Sequence, residues 1–378
     1  MGHSDVVRIG LLFSTTGPYG TIGRAMRNGA SLAIREIAEK DLYRFRLDAV
    51  SINPGGRNAD YAEGAQHLLT HHQILHVVGC YTSSSRKEVL PLFEKYDGLL
   101  WYPSHYEGFE SSDNVVYTGA APNQHIIPLV THLLRTRGNR AFCVGSNYVW
   151  AWENNKILRE AVQGNGGLVV AERYFPVEEL EFDAVIGQIL TSRPSFVFST
   201  LIGESAYAFF RALRRAAKAQ GIDQAKAFPV ASCSLAEPEL VEIGPEASDG
   251  HLSSSVYFES ISTPCNRNFV RSYRAAFPDS GPTSADAEAS YIAVHLLAGA
   301  IQRAQSADMS SVLAALPFVS FKAPQGEVRI DRTNRHCFLT PRIGVSNSRG
   351  GFSIIYEAPG PVRPDPYLVW HETETELP

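Results

Sequence analysis

Short apolar runs alternate along the chain with longer stretches in which apolar positions recur every three or four residues. The short runs are typical of buried strands, and the longer stretches are typical of amphipathic helices. In the first third of the chain, strands and helices are predicted in turn at residues 7–14, 26–40, 45–53, 61–72, 75–80 and 86–96. Such alternation indicates βαβ units built around a parallel sheet.

The alternation restarts after a turn-rich segment at residues 118–123. Strands and helices are then predicted at 140–146, 156–163, 167–174, 182–190, 196–201 and 206–219, with a further helix at 285–304. Turn-rich segments at 248–253 and 324–327 predict two more crossings between lobes. The predicted fold class is therefore α/β, with two Rossmann-like lobes whose parallel sheets are joined by a three-stranded hinge.

The three crossings make each predicted lobe discontinuous. The first lobe is expected to comprise residues 1–120 plus 252–325, and the second residues 121–251 plus 326–378. A turn at 347–351 between alternating apolar runs predicts a C-terminal hairpin in the second lobe.

Composition narrows the possible functions. The chain has 378 residues, 44% of them hydrophobic, and a net charge of −5, so it lacks the basic surface expected for direct nucleic-acid binding. Five cysteines without C-x-x-C spacing favour reduced thiols. The first residues lack a signal-peptide core and no apolar run is long enough to span a membrane, so we expect a cytoplasmic protein, or a periplasmic one if a signal peptide has been removed.

Candidate ligand contacts follow two predicted strands of the first lobe. Tyr81 and Ser83 come directly after one strand, where a helix begins, and a serine there can cap the helix or hold a ligand oxygen. Tyr102, Ser104 and His105 follow the next strand. Carboxyl ends of neighbouring parallel strands meet at one crevice, so we expect both groups to face the same ligand.

The second lobe offers a matching set at its own strand ends. Tyr148 and Trp150 follow the strand at 140–146, and clustered aromatics there favour a pocket wall over simple core packing. Glu204 follows the strand at 196–201. Its carboxylate can accept from a ligand N–H group, or it can simply favour the helix dipole.

Other chemistry is less well supported. The loop at 17–23 has G-x-x-G-x-x-G spacing, which differs from the dinucleotide-binding G-x-G-x-x-G pattern. His67 and His71 are four residues apart on a predicted helix, but no carboxylate or thiol completes a metal site at helical spacing. We therefore predict no cofactor and no metal site.

A serine hydrolase is the alternative of a different class. Ser84-x-x-Lys87 and the run 112–114, Ser-Asp-Asn, match two signatures of penicillin-recognising enzymes. The third signature, K-T-G, is missing from the sequence, and so is the nucleophile elbow G-x-S-x-G. We therefore predict no catalytic residues.

Several longer motifs spread over the whole chain carry a family resemblance. They are Gly-Cys-Tyr at 79–81, Tyr-Pro at 102–103, Tyr-Glu-Gly-Phe-Glu at 106–110, Ala-Pro-Asn-Gln at 121–124, Ala-Pro-Gln-Gly at 323–326 and Arg-Pro-Asp-Pro-Tyr at 363–367. With them the chain resembles the type I periplasmic-binding-protein family. Within it, the chain is most similar to the amide-sensing negative regulators of bacterial aliphatic amidase operons and to urea-binding proteins of ABC transporters.

The resemblance implies where the ligand is held. Tyr81, Ser83, Tyr102 and Ser104 would supply the first-lobe contacts, and Tyr148 and Trp150 those of the second. His105 stands where the regulators have a proline and, with Glu204, completes the expected ligand-binding set. Ser83 is expected to donate a hydrogen bond to an amide carbonyl oxygen, and Glu204 or a tyrosine oxygen is expected to accept one from the amide nitrogen.

The expected function is a non-catalytic sensor for short aliphatic amides or urea that closes on its ligand. The resemblance implies an RNA-binding antiterminator protein as partner, with no direct contact to nucleic acid or membrane, and allows a homo-oligomer. The alternative is the solute-binding component of an amide or urea ABC transporter.

Overall fold

Two open sheets form the framework of the protein, seen in a computed structural model that describes residues 5–40, 43–110 and 112–369. The strands of the first sheet are β1 (Asp5–Leu12), β2 (Phe45–Ile52), β3 (His76–Gly79), β4 (Leu99–Tyr102) and β5 (Val115–Tyr117). Those of the second are β6 (Arg140–Ser146), β7 (Leu168–Phe175), β8 (Phe196–Thr200), β9 (Val230–Ser232), β10 (Leu252–Ser255), β13 (Arg342–Ser346) and β14 (Phe352–Glu357). The strands β11 (Ser320–Ala323) and β12 (Gly326–Arg329) form a separate hairpin. The chain ends, which include the residues examined for an export signal, lie outside the described residues.

Helices connect most of these strands. They are α1 (Gly20–Glu39), α2 (Asn58–Gln66), α3 (Ser83–Lys95), α4 (Ile126–Thr136), α5 (Val149–Gly164), α6 (Asp183–Ser192), α7 (Gly203–Ala219), α8 (Gln224–Ala227), α9 (Glu237–Ile243), α10 (Pro264–Ala276), α11 (Ala285–Ala304) and α12 (Met309–Ala315). Short 3₁₀ turns lie at Pro122–Gln124 and Leu316–Phe318, and a π-helical turn follows α2 at His67–His71. None of the described helices combines the length and apolar character needed to cross a bilayer.

The two sheets repeat one topology. Their strand orders are β2-β1-β3-β4-β5 and β14-β13-β10-β9-β8-β6-β7. All neighbours in the first sheet are parallel, and β6 to β10 are parallel in the second, where β13 pairs antiparallel with both β10 and β14. The predicted α/β fold with two Rossmann-like sheets and a C-terminal hairpin is confirmed.

The chain passes between the two sheets three times, through residues 118–125, 256–263 and 330–341. The second crossing lies later than expected, because residues 252–255 pair with β9 and β13 in the second sheet. The expected boundary at residue 252 therefore assigned β10 to the wrong sheet. Its sequence, Leu-Ser-Ser-Ser, lacks the apolar alternation by which a strand is recognised. The segment 324–327, also expected to cross, is the turn of the β11–β12 hairpin.

Helix α11 is the centre of the first lobe and is buried on nearly all sides. It packs closely on α1, since a Cβ atom placed on Gly29 of α1 would lie 2.0 Å from the carbonyl oxygen of Ala287. Only glycine permits this approach of two backbones. The first lobe is thus built from residues that are far apart in sequence.

The glycine-rich loop has a similar packing role. Helix α1 begins at Gly20, six residues before the predicted start, and includes Gly23. A Cβ atom on Gly23 would lie 1.8 Å from the carbonyl oxygen of Ser14 at the end of β1. The glycines therefore let the helix begin directly against the strand that precedes it, which explains them without a bound nucleotide.

Candidate ligand site between the two sheets

A small cleft lies where the carboxyl ends of strands from both sheets face each other. Seven residues line it: Tyr81, Ser83, Ser104, His105, Tyr148, Trp150 and Ile202. Between them about 10 Å³ remains, which is room for roughly one water-sized sphere. The side chains of the two lobes thus nearly meet, as in a closed receptor.

Six of the eight predicted site residues are brought together here. Ile202 was not predicted, although its position just after β8 is the same kind of strand end that located the others. Tyr148 stacks on Trp150 with ring centroids 6.2 Å apart, and Tyr81 packs on Tyr19 at 5.3 Å. The aromatic rings therefore enclose the cleft on both sides.

Tyr102 and Glu204 lie elsewhere than expected. The Tyr102 hydroxyl donates to the backbone oxygen of Tyr81 at 2.6 Å, so it supports a lining residue from behind and does not line the cleft. Glu204 is exposed in the first turn of α7, where its backbone N–H donates to the Pro18 oxygen at 3.0 Å. Neither residue is placed for the direct ligand contact that was predicted.

Neighbouring hydroxyls at the start of α3 have different positions, since one caps the helix and the next lines the cleft. Thr82 is the N-cap, and its side-chain oxygen accepts from the backbone N–H of Ser85 at 3.1 Å. The next residue, Ser83, is thereby free to line the cleft. The capping interpretation of the hydroxyl run is therefore confirmed for Thr82, and the ligand contact of Ser83 stays a prediction.

Behind Ser83 lies a buried ionic cluster. Arg86 is fully buried and bonds through Nη2 to Glu107 Oε1 at 3.0 Å and through Nε to Glu110 Oε1 at 2.7 Å. Lys87 Nζ bonds to Glu110 Oε2 at 2.8 Å. The Arg86 side chain also stands 4.7 Å from the ring centre of Tyr102. These contacts fix the position of Arg86, whose Nη1 donates to Ser83 Oγ at 3.2 Å.

The contacts within the cluster shift the pKa values of Glu110 and Arg86. Burial alone would raise the pKa of Glu110, but the Arg86 guanidinium, helped by bonds from Lys87 and Tyr117, lowers it to about 2. Burial alone would lower the pKa of Arg86, but Glu107 and the other neighbours hold it well above its ordinary value. The cluster is therefore charged but internally neutralised, as a buried ion pair must be.

A carboxylate that sequence reasoning missed supports the other serine. Ser104 Oγ donates to Asp286 Oδ1 at 3.1 Å, and both side chains are buried. Burial raises the pKa of Asp286 to about 7. Asp286 lies in the first turn of α11, where acidic residues are common, so nothing in the local sequence distinguishes it as a site residue.

His105 joins the cleft to a second cavity. Burial, and to a smaller extent His125, lowers the pKa of His105 to about 3, so the ring is neutral at physiological pH. On its other side lies a cavity of about 20 Å³ that is lined also by His125, Asp286 and Cys233. This second cavity reaches Gly119 and His125 in the first segment that connects the two sheets.

The alternative chemistries have no assembled site. Lys87 is paired with Glu110, while Ser112 donates to Glu94 at 2.9 Å, so the elements of the serine-hydrolase pattern make separate structural contacts. The rings of His67 and His71 stack face to face at 4.6 Å. Among the residues that the structure describes, no group of His, Cys, Asp and Glu could hold a metal ion.

Two similar α/β sheets that face each other across a nearly closed polar cleft define a two-lobed binding protein. The chain belongs to the periplasmic binding protein family, in its type I form, because the model described as "Periplasmic binding protein domain" matches residues 7–373. This membership agrees with the expectation that the chain binds a ligand and is not an enzyme.

Similar proteins cover nearly the whole chain at low identity. The Leu/Ile/Val-binding protein homolog 6 of Brucella abortus (strain 2308) is 22% identical over 343 residues, which are 88% of this chain and 86% of that protein. The solute binding protein of an ABC transporter from Rhodopseudomonas palustris HaA2, solved with p-hydroxybenzoic acid, has a TM-score of 0.86 at 19% identity and covers 97% of this chain and 100% of that one.

A third match is only partial. The chain is 29% identical to the limonene hydroxylase of Geobacillus stearothermophilus over 126 residues, which are 33% of this chain. The chain spans only 23% of that protein's length. This match therefore adds nothing to the function of the chain.

Proposed function

We propose that the protein is a receptor for a short uncharged amide or for urea, which it holds between its lobes without chemical change. The observation that carries the proposal is the size and charge of the cleft. It has room for roughly one water-sized sphere between aromatic walls, so a small ligand needs little opening of the lobes. The nearby cations Arg86 and Lys87 are already paired with Glu107 and Glu110, so a ligand carboxylate would find no free cation there.

The affinity of such a ligand is bounded by its size. At about 1.5 kcal/mol per non-hydrogen atom, a four-atom amide gains at most about 6 kcal/mol, which corresponds to a Kd of some tens of micromolar. Calorimetry with acetamide, propionamide and urea tests this directly, with leucine and p-hydroxybenzoate as the comparison ligands suggested by the relatives. We expect the amides or urea to bind and to raise the melting temperature by mass action. Binding of leucine or p-hydroxybenzoate alone would refute the proposal.

We propose further that the two lobes move as units about the three connecting segments. The first lobe would comprise the first sheet with α10 to α12 and the β11–β12 hairpin, and the second lobe the second sheet including β10. Ligand contacts come from both lobes, so binding should favour the closed state. Solution scattering should show a smaller radius of gyration with saturating acetamide, and an unchanged radius would count against closure.

The regulatory role rests on the sequence resemblance. On this proposal the protein is cytoplasmic and its ligand-free form binds an RNA-binding antiterminator. All five cysteines are unpaired in the structure, and four of them are buried, which suits a reducing compartment. Purification of the tagged chain with and without acetamide should recover the RNA-binding protein only without the ligand.

The second candidate is the solute-binding component of an amide or urea transporter. The family and the relatives from Brucella and Rhodopseudomonas favour it. Cell fractionation of the full-length gene product separates the two candidates: recovery in the periplasm supports the transporter component, and recovery in the cytoplasm supports the regulator. Light scattering of the purified protein will show whether it forms a homo-oligomer.

A further inference from the structure

The proton of the Ser83 hydroxyl is committed to a buried carboxylate. Ser83 Oγ donates to Glu107 Oε2 and accepts from Arg86 Nη1 at 3.2 Å. A serine hydroxyl has one proton and two lone pairs. Ser83 therefore retains one lone pair for a ligand and has no proton to donate. This reverses the expectation that it donates to a carbonyl oxygen.

The Ser104 hydroxyl is oriented in the same way. It donates to Asp286 Oδ1 at 3.1 Å, and the pair is shielded from solvent. Its lone pairs are therefore left for the cleft, which Ser104 lines together with Ser83. Both serine hydroxyls of the cleft thus act as acceptors, although serine can in general donate or accept.

The second lobe supplies the opposite kind of group. Trp150 lines the cleft, is 2% exposed, and has a buried indole N–H that finds no hydrogen-bond partner among the described residues. An indole nitrogen can only donate. A buried donor without an acceptor is costly, and a ligand oxygen would relieve that cost.

Resting on the proposed function, we infer that two buried carboxylates, Glu107 and Asp286, set the direction of hydrogen bonding in the cleft. Through them, Ser83 and Ser104 accept from the N–H groups of the ligand. The carbonyl oxygen of the ligand accepts from Trp150. The cleft is therefore selective for primary amides and ureas, and it rejects carboxylates of the same shape because their lone pairs would face the lone pairs of the serines.

Matched ligand pairs test this direction at pH 8.5, above the pKa of about 7 of Asp286. The pairs are acetamide and acetate, leucinamide and leucine, and p-hydroxybenzamide and p-hydroxybenzoate. In every pair that binds, calorimetry should give the amide a Kd lower by about tenfold or more. Tighter binding of the carboxylates would overturn the inference. If only the larger amides bind, the proposed short-amide function fails and the inference stands; no binding in any pair overturns both.

A double-mutant cycle tests the role of Asp286 as a positioning residue. Ser104→Ala should weaken acetamide by about tenfold without weakening acetate, since it removes an acceptor. Asp286→Asn should shift the acetamide-to-acetate ratio toward acetate by a similar factor. The second change should have no further effect in the Ser104→Ala background, because Asp286 acts through the hydroxyl.

An equal effect of Asp286→Asn in both backgrounds would show that only its charge matters and would overturn the positioning role. Unchanged ratios in both single variants would overturn the inference for this serine. Melting temperatures of the three variants at pH 8.5 serve as the folding control.

Discussion

Replacing Arg86 by Met should destabilise the protein far more than the same replacement of its neighbour Lys87. Arg86 is fully buried and bonds to Glu107, Glu110 and Ser83, so its removal leaves two carboxylates in the interior without their main partner. Breaking a buried pair in this way costs about 3–5 kcal/mol. Lys87 bonds to Glu110 but its side chain is 41% exposed, and an exposed pair contributes about 0–1 kcal/mol.

The two variants form a matched pair, since each removes one cation from one cluster and inserts the same side chain. Thermal unfolding followed by tryptophan fluorescence at pH 7 gives the loss of stability of both variants without adding a proposed ligand. Equal losses for the two variants would refute the argument that burial decides the cost.

The pH dependence of Arg86→Met provides a second check. In the wild type the pKa of Glu110 falls from 4.5 in the unfolded chain to about 2, so its stabilising contribution is present above pH 4.5 and is lost as the pH falls toward 2. The variant lacks most of this contribution. The difference in stability between wild type and variant should therefore shrink as the pH is lowered from 5 to 2.5, and a constant difference would mean that the charge pair is not its source.

Four further outcomes are expected. Gly23→Ala should destabilise the fold by more than about 2 kcal/mol in thermal unfolding, because its Cβ would lie 1.8 Å from a backbone oxygen. Gly187→Ala, with open space inside α6, should stabilise the fold by about 0.5–1 kcal/mol, and similar effects of the two changes would refute the packing argument. Folding raises the pKa of Asp286 from 3.8 to about 7, so its contribution to stability is lost as the pH rises through this range. The free energy of unfolding of Asp286→Asn should therefore increase by up to about 4 kcal/mol relative to wild type between pH 4 and 7. A difference that does not depend on pH would contradict this. Trp150→Phe should weaken acetamide by about fivefold to tenfold in calorimetry and leave the melting temperature nearly unchanged, and unaltered affinity would remove the indole from the ligand contacts. Glu204→Gln should leave acetamide affinity unchanged, because the side chain is exposed. A loss of about tenfold would mean that Glu204 contacts the ligand after all.

Apolar patterning was sufficient to predict most of the fold. The strand predicted at 140–146 and the helix predicted at 285–304 have the observed bounds of β6 and α11, since each is a clear apolar pattern with polar or small residues at its ends. Helix α5 begins at Val149, seven residues before its predicted start. Its first turn carries Trp150, which is buried and lines the cleft, and Trp152, which is exposed, and these clustered aromatics were interpreted as a pocket wall and not as the start of a helix.

The candidate site was predictable only as far as it lies at strand ends. Tyr81 and Tyr148 could be located because each closely follows an apolar run that ends in small residues. Asp286 could not, since its contact with Ser104 joins residues 182 positions apart and depends on the packing of α11. Glu204 shows the opposite error: the sequence places it in the first turn of a helix but does not determine the direction of its side chain.

The close approach of α1 and α11 also constrains how the protein is made. Gly29 and Ala287 are separated by more than 250 residues, which take roughly 10 to 50 s to synthesise at about 5–20 residues per second. During that interval the apolar face of α1 has left the ribosome but its partner helix does not yet exist. The second sheet, by contrast, already has its five parallel strands by residue 255. The five parallel strands of the second sheet can therefore pair before α11 covers α1, although the strands of the first sheet are translated earlier.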